Sequence, residues 1–292
     1  MAFDDAYDAL TDHEDDSRWA YGTGFADPLA GVPTDVPSDV DKAALVTYCL
    51  MLGDDALVLS HRLQQWVTRA PEIEDELAIA NIALDLLGQS RLLLDRAALV
   101  EGRGRDEDAL AYLREPAEFR NVRLVEPADP DFAHLVTRLL LFATWRLALF
   151  DRLTDSRDPI LAAIAAKGVK ELTYHREYAA QWVVRLGDGT AESHCRMEAA
   201  LAAVWPLTGE LFRTSSTERD LAAAGVGVDP PGLRAEFDAV LAQVLAEATL
   251  AAPGGAQSAE DAGGRDGVHT PDLAGVLDEL QAVARALPGA IW

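Results

Sequence analysis

The chain has 292 residues, of which 49% are hydrophobic, and a formal net charge of −24 from 49 acidic and 25 basic side chains. This is enough apolar material for one large core. A field this negative argues against nucleic acid and anionic membranes as partners, because both are polyanions. The two cysteines have no metal-binding spacing, and the acidic N-terminus has no apolar signal-peptide segment. We therefore expect reduced thiols and a cytoplasmic protein.

The first half of the chain predicts a flexible segment, two long helices and a connection. Residues 1–38 mix Asp runs with prolines and glycines without a sustained hydrophobic period, which is typical of an acidic, flexible extension. Ser38 can cap a long helix that ends just before Pro71. A second helix is predicted from Pro71, with an acidic first turn, to about Gly102. Residues 103–129 form a long connection with short helical turns, as in the crossovers of some bundles.

The second half predicts five more helices, at 131–156, 159–187, 192–212, 231–250 and 271–287. The most apolar stretch, 139–150, is interrupted by Arg146, so it is too short and too charged to span a bilayer. A glycine-rich loop precedes the last helix. We predict an all-α fold, with a ferritin-like helical bundle at 39–250 and, at 251–292, the loop and the C-terminal helix packing on it.

The histidines of the chain are not spaced as di-iron ligands. A di-iron carboxylate bundle takes one Glu from each of two helices and a Glu-x-x-His pair from each of the other two, so that both ligands of a pair share one helix face. No histidine here has a glutamate three residues earlier. This holds for His13, His61, His134, His175, His194 and His269. The chain can keep such a scaffold without its chemistry, which predicts a partner subunit rather than a stand-alone enzyme.

Two polar stripes interrupt apolar helices at i, i+4 spacing. If they face each other at the centre of the bundle, they form a buried, metal-free polar network, because a buried charge needs a partner. The alternative is that each stripe lines an edge facing solvent or the crossover, and the spacing leaves both open. The predicted network consists of Asn81, Asp85 and Gln89 on the second helix and Lys167, Lys170, Glu171 and His175 on the fourth.

Other candidate ligands have structural explanations. Asp131-x-x-His134 has ligand spacing, but it lies at a helix start, where Asp131 favours the helix N-terminus electrostatically. We interpret His61 as a satisfied polar residue at a helix edge. Asp266-x-x-His269 lies in the glycine-rich loop and has no helical face to share.

Seven segments, in one order and with consistent spacing over about residues 41–292, carry a family resemblance. The chain resembles the C subunits of phenylacetyl-CoA 1,2-epoxidase (phenylacetate-CoA oxygenase), a multicomponent monooxygenase of aerobic phenylacetate breakdown. The segments are LGDDALVLSHRLQQW, APEIEDELAIANIALDLLGQSRLLL, EFRNVRLVE, SRDPILAAIAAKGVKELTYH, RLGDGTAESH, WPLTGELF and GVHTPDLAGVLDELQAVARALPGAIW.

The resemblance implies a ferritin-like, structural subunit without a cofactor of its own. It implies a homologous catalytic A subunit with a di-iron site, a small B subunit, and a reductase with FAD and an iron–sulfur cluster that is fed by NADPH. The assembly would epoxidise the aromatic ring of phenylacetyl-CoA with O2. No nucleic acid or membrane partner is expected.

The same resemblance locates the metal-ligand positions of the catalytic relative. Its two Glu-x-x-His pairs match Leu86-x-x-Gln89 and Leu172-x-x-His175, so three ligand positions are lost and His175 is retained. Two other hypotheses remain open. One is an oxygenase with an atypical site built from Asp85, Glu171 and His175, with Asp55 as a further candidate. The other is a self-associating bundle with no enzyme attached.

Overall fold

All regular secondary structure in residues 29–254 and 262–287, which the computed structural model describes, is helical. This confirms the predicted all-α fold. Residues 1–28 of the predicted extension lie outside the described ranges. The α-helices are α1 (Lys42–Gln64), α2 (Ile73–Glu101), α3 (Glu107–Tyr112), α4 (Phe132–Leu153), α5 (Pro159–Gly187), α6 (Ala191–Val204), α7 (Ser216–Ala223), α8 (Arg234–Glu247) and α9 (Pro271–Ala286).

Four long helices, α1, α2, α4 and α5, form the bundle. Helix α1 packs along α2, α4 packs along α5, and α2 contacts α5. Local signals set where these helices begin: the Asp41 carboxylate accepts from the backbone N–H of Ala43 at 2.9 Å, and the Asp158 carboxylate accepts from that of Leu161 at 3.0 Å. Pro159 occupies the first turn of α5, where no backbone donor is needed. Helix α4 lies at the centre and is buried on almost every side.

Three predicted helix boundaries need correction. Helix α1 begins after Asp41 rather than Ser38 and ends at Gln64, because the next residues fold into turns that start with a bond from Trp66 N–H to Leu63 O. The predicted helix 192–212 is α6 followed by the 3-10 helix Trp205–Phe212, which has a proline in its first turn. Helix α8 is shorter than predicted at both ends.

Helix α7 was not predicted. Its N-terminus is a capping box in which the Ser215 hydroxyl accepts from the Glu218 N–H at 3.1 Å and the Glu218 carboxylate accepts from the Ser215 N–H at 2.8 Å. A Ser-x-x-Glu sequence before a helix is a recognisable start signal. That signal was present in the sequence and could have located α7.

The connection 103–129 contains short helices, as predicted: α3, Pro116–Glu118 and Arg123–Val125. Buried carboxylates of α1 fix this connection to the bundle. The Asp54 carboxylate accepts hydrogen bonds from the Arg114 guanidinium at 3.0 Å and from the Arg120 N–H at 2.8 Å. Because Asp54 is fully buried, these bonds are held in a dry environment.

The last part of the predicted N-terminal extension packs against the bundle. Leu29, Val32 and Val36 contact the hydrophobic core. The Arg96 guanidinium of α2 also donates to the carbonyl oxygen of Thr34 at 2.7 Å. The predicted boundary at residue 38 therefore differs from the structure, in which the packed region already includes these residues.

Three helices, α1, α2 and α4, are long and apolar enough to cross a membrane by length and composition alone. For α4 this differs from the expectation that its apolar stretch is too short. The bundle accounts for the apolar composition, because 72% of the most apolar part of α1 and 89% of that of α4 are buried inside the protein. The corresponding share for α2 is only 50%. Both cysteines are free, with Cys49 buried and Cys195 exposed.

Replacing either of two helical glycines by alanine should change the free energy of unfolding, in opposite directions. A Cβ at Gly88 on α2 would contact nothing within 4 Å, whereas one at Gly168 on α5 would lie 2.6 Å from the Phe150 ring. We expect Gly88→Ala to raise the free energy of unfolding by about 0.5–1 kcal/mol through its helix propensity. Gly168→Ala should lower it by about 1–3 kcal/mol through overpacking. Urea unfolding of the two variants measures this, and equal effects would contradict the packing of α5 on α4.

Candidate functional site

The polar stripes of α2 and α5 meet at the centre of the bundle. The Gln89 side-chain amide donates to the Glu171 carboxylate at 2.9 Å, and His175 Nε2 lies 3.0 Å from the Asp85 carboxylate. The Lys167 ammonium donates to the other oxygen of Glu171. The two stripes therefore face each other, which is the arrangement that a polar network between the helices requires.

Asn81 and Lys170 are exposed, so this part of the predicted buried network is wrong. An α-helix turns by about 100° per residue, so each i+4 step drifts by about 40° around the axis. Asn81 is two such steps from Gln89, so it is turned by about 80° from Gln89, which contacts α5. Lys170 directly precedes Glu171 and is turned from it by about 100°. Lys167 is at the rim, with 41% of its side chain exposed.

The polar side chains between α2 and α5, namely Asp85, Gln89, Lys167, Glu171 and His175, form a central layer. Arg146 also belongs to this central layer, although the sequence did not place it there. It lies in the middle of α4 and is fully buried. Its Nε donates to the Gln89 side-chain oxygen at 3.0 Å, one Nη donates to the carbonyl oxygen of Leu52 at 3.1 Å, and the guanidinium lies over the Phe150 ring at 4.4 Å. Burial lowers the pKa of Arg146 to about 10. A single arginine inside an otherwise apolar helix was the available signal, because it needs buried partners.

Asp55 links the layer to the C-terminal part of the chain. Its two carboxylate oxygens accept from the Arg265 guanidinium at 2.8 and 3.0 Å, and one also accepts from the Val122 N–H at 2.8 Å. The guanidinium of Arg146 lies 3.9 Å away. Burial lowers the pKa of Arg265, but the charge and hydrogen bond of Asp55, together with the charges of Glu218 and Glu210, outweigh it, so this pKa lies above its ordinary value. Asp55 is thus the counter-ion of two buried arginines.

The residues that the family resemblance predicts at metal-ligand positions do not fit a di-iron site. Leu86 and Leu172 are fully buried and offer no donor atom, and Gln89 offers a neutral amide that already has two partners. The cationic side chain of Arg146 is hydrogen-bonded to Gln89 and would repel a metal ion there. Within residues 29–254 and 262–287, no group of three or more His, Cys, Asp or Glu side chains is arranged to hold a metal.

The alternative metal site, built from Asp85, Glu171 and His175 with Asp55, also fits a metal ion poorly. Its donor atoms already bind protein groups: Asp85 pairs with His175, and Glu171 binds Gln89 and Lys167. Asp55 is held by arginines. A metal would have to replace all of these contacts.

The remaining candidate ligands have the structural contacts that the sequence suggested. Asp131 caps α4 by accepting from the His134 N–H at 3.0 Å. His61 lies on α1, with its Nε2 at 3.1 Å from the Glu279 carboxylate of α9. Each of these contacts is explained by helix capping or helix packing, without a metal.

The fold defines a class of protein: an all-α bundle of the ferritin-like kind, with a network of polar side chains between its long helices. The chain belongs to the family described as phenylacetic acid catabolic protein, whose model matches residues 29–292. It is 45% identical over 248 residues to the C subunit of 1,2-phenylacetyl-CoA epoxidase from Escherichia coli (strain K12). That alignment covers 85% of this chain and 99% of the relative. The family resemblance seen in the sequence is thereby confirmed.

Proposed function

We propose that this chain is the non-catalytic, structural subunit of a phenylacetyl-CoA 1,2-epoxidase in aerobic phenylacetate catabolism. It would scaffold a homologous catalytic subunit, whose di-iron site epoxidises the aromatic ring of phenylacetyl-CoA with O2. The relative in Escherichia coli is named as one subunit of such an epoxidase, which supports a role in a multisubunit complex. A small B subunit and a reductase with FAD and an iron–sulfur cluster, fed by NADPH, complete the proposed assembly in the cytoplasm.

One observation carries the non-catalytic part of this proposal. At the positions that match the Glu-x-x-His pairs, the chain has two buried leucines and a glutamine that is bonded to Arg146. Leucine cannot bind iron, and a buried guanidinium supplies a fixed positive charge where a catalytic relative would bind metal ions. The network can hold α1, α2, α4 and α5 together, so that the bundle presents a rigid surface to its partner.

Anaerobic loading with ferrous iron tests the proposal. We expect near-zero iron in the isolated chain after desalting, and iron only in the partner when both are co-purified. About two irons per isolated chain would overturn the ligand assignment. Co-expression with the family member that carries the Glu-x-x-His pairs is the second arm. Failure of the two proteins to form a complex would contradict the scaffold role and favour a self-associating bundle.

A further inference from the structure

Helix α2 has an apolar stripe on its outward face. Four large side chains of this stripe, between 38% and 67% exposed, are Ile73, Leu77, Leu84 and Leu87. Their separations of four, seven and three residues place them on one side of the helix. Only half of the most apolar part of α2 is buried inside the protein, in contrast to α1 and α4. Exposed apolar stripes of this kind mark interaction surfaces.

The part of this face that follows the acidic first turn of α2 is nearly free of charge. From Leu77 to Ser90, helix α2 carries one charged residue, Asp85, although 25% of the whole chain is charged. A helix face that meets only water normally carries charged side chains, whereas the centre of a protein interface is depleted of them. At Gly88 a Cβ would meet no atom within 4 Å, so the backbone itself is open to close approach there.

We propose that this face, from Ile73 to Leu87, is where the catalytic bundle of the epoxidase docks. The inference rests on the proposed function, since the occupant is a second helical bundle of the same family that carries the Glu-x-x-His pairs. A second copy of this chain is the less suitable occupant, because each copy brings a net charge of −24 and two such fields repel.

Asp85 gives the face its specificity. Its side chain is 36% exposed, and the buried ring of His175 holds its carboxylate at 3.0 Å. This carboxylate is turned by about 100° from Leu84 around the helix and has an exposed part that can accept a hydrogen bond from a donor or cation on the partner. One such polar contact sets the register of helices that apolar contacts alone would let slide.

Leu84→Glu tests the docking surface, with Leu113→Glu as a matched control. Both leucines are more than half exposed, at 56% and 58%, and Leu113 follows α3 rather than lying on α2. We expect both variants to keep the circular dichroism and melting temperature of the wild type. Leu84→Glu should weaken binding to the tagged catalytic family member by about 30-fold or more, as for an interface residue worth about 2 kcal/mol. Leu113→Glu should bind like the wild type.

The outcomes separate this inference from the proposed function. If the wild type fails to bind the catalytic family member, the proposed function fails. If the wild type binds and Leu84→Glu binds equally well, the scaffold role stands and the docking surface is wrong. If the isolated wild type is a dimer in sedimentation and Leu84→Glu is a monomer, a second copy occupies the face and the choice of occupant is overturned.

Discussion

Asp55→Asn is expected to lower the free energy of unfolding by about 3–5 kcal/mol, the cost of leaving buried charges without a counter-ion. Asp55, Arg146 and Arg265 are all nearly or fully buried, and the single carboxylate faces both guanidinium groups. An asparagine keeps the shape, but its amide N–H group would face guanidinium donors. Urea unfolding followed by circular dichroism measures the loss.

An exposed ion pair provides the control for this variant. Asp39 pairs with Arg157 at 2.9 Å, and about half of each side chain is exposed. Asp39→Asn should leave the urea midpoint close to that of the wild type, because water screens such pairs. If Asp55→Asn were as mild as Asp39→Asn, the central layer would not be a set of mutually dependent charges.

A variant that combines Asp55→Asn with Arg146→Met tests whether these two residues interact. Because burial already lowers the pKa of Arg146 to about 10, its charge is the less favourable of the two guanidinium charges. Adding Arg146→Met to Asp55→Asn removes one of the two unpaired cations. We expect the double variant to be more stable than the sum of the single effects by about 0.5–3 kcal/mol. Strict additivity would show that Asp55 and Arg146 do not interact.

Gly264→Ala is also expected to destabilise the protein severely, lowering the free energy of unfolding by about 3 kcal/mol or more. A Cβ at this position would lie 1.9 Å from the carbonyl oxygen of Asn121, a backbone atom that cannot move as a flexible side chain does. The adjacent Arg265 would be displaced from Asp55, so the overpacking would also disturb the buried ion pair. Thermal unfolding and the rate of proteolysis within 251–270 are the measurements.

Gly275→Ala is the matched control. Gly275 lies in α9, and a Cβ there meets nothing within 4 Å. Alanine should stabilise this helix by up to about 1 kcal/mol. If Gly264→Ala melted at the same temperature as Gly275→Ala, the close approach of the glycine-rich loop to the connection 103–129 would be wrong.

The sequence by itself determined the fold class and most helices, because caps, prolines and apolar periods act locally. Pro159 and the acidic first turn of α2 mark helix starts in the structure as they do in the sequence. The missing Glu-x-x-His pairs are also a property of the sequence alone, and they are the basis of the non-catalytic role that we propose. Helix α7 was missed although its capping box is local, so the sequence alone was sufficient to locate it.

Only the tertiary structure decided which polar residues share the centre of the bundle. Asn81 and Lys170 fit the predicted stripe in sequence but are exposed, whereas Arg146 was seen only as an interruption and lies at the centre. The partner of Asp55 is Arg265, 210 residues away, in a loop that composition alone describes as irregular. Such pairings depend on how helices rotate and pack against each other, and side-chain spacing along one helix contains no information about that rotation.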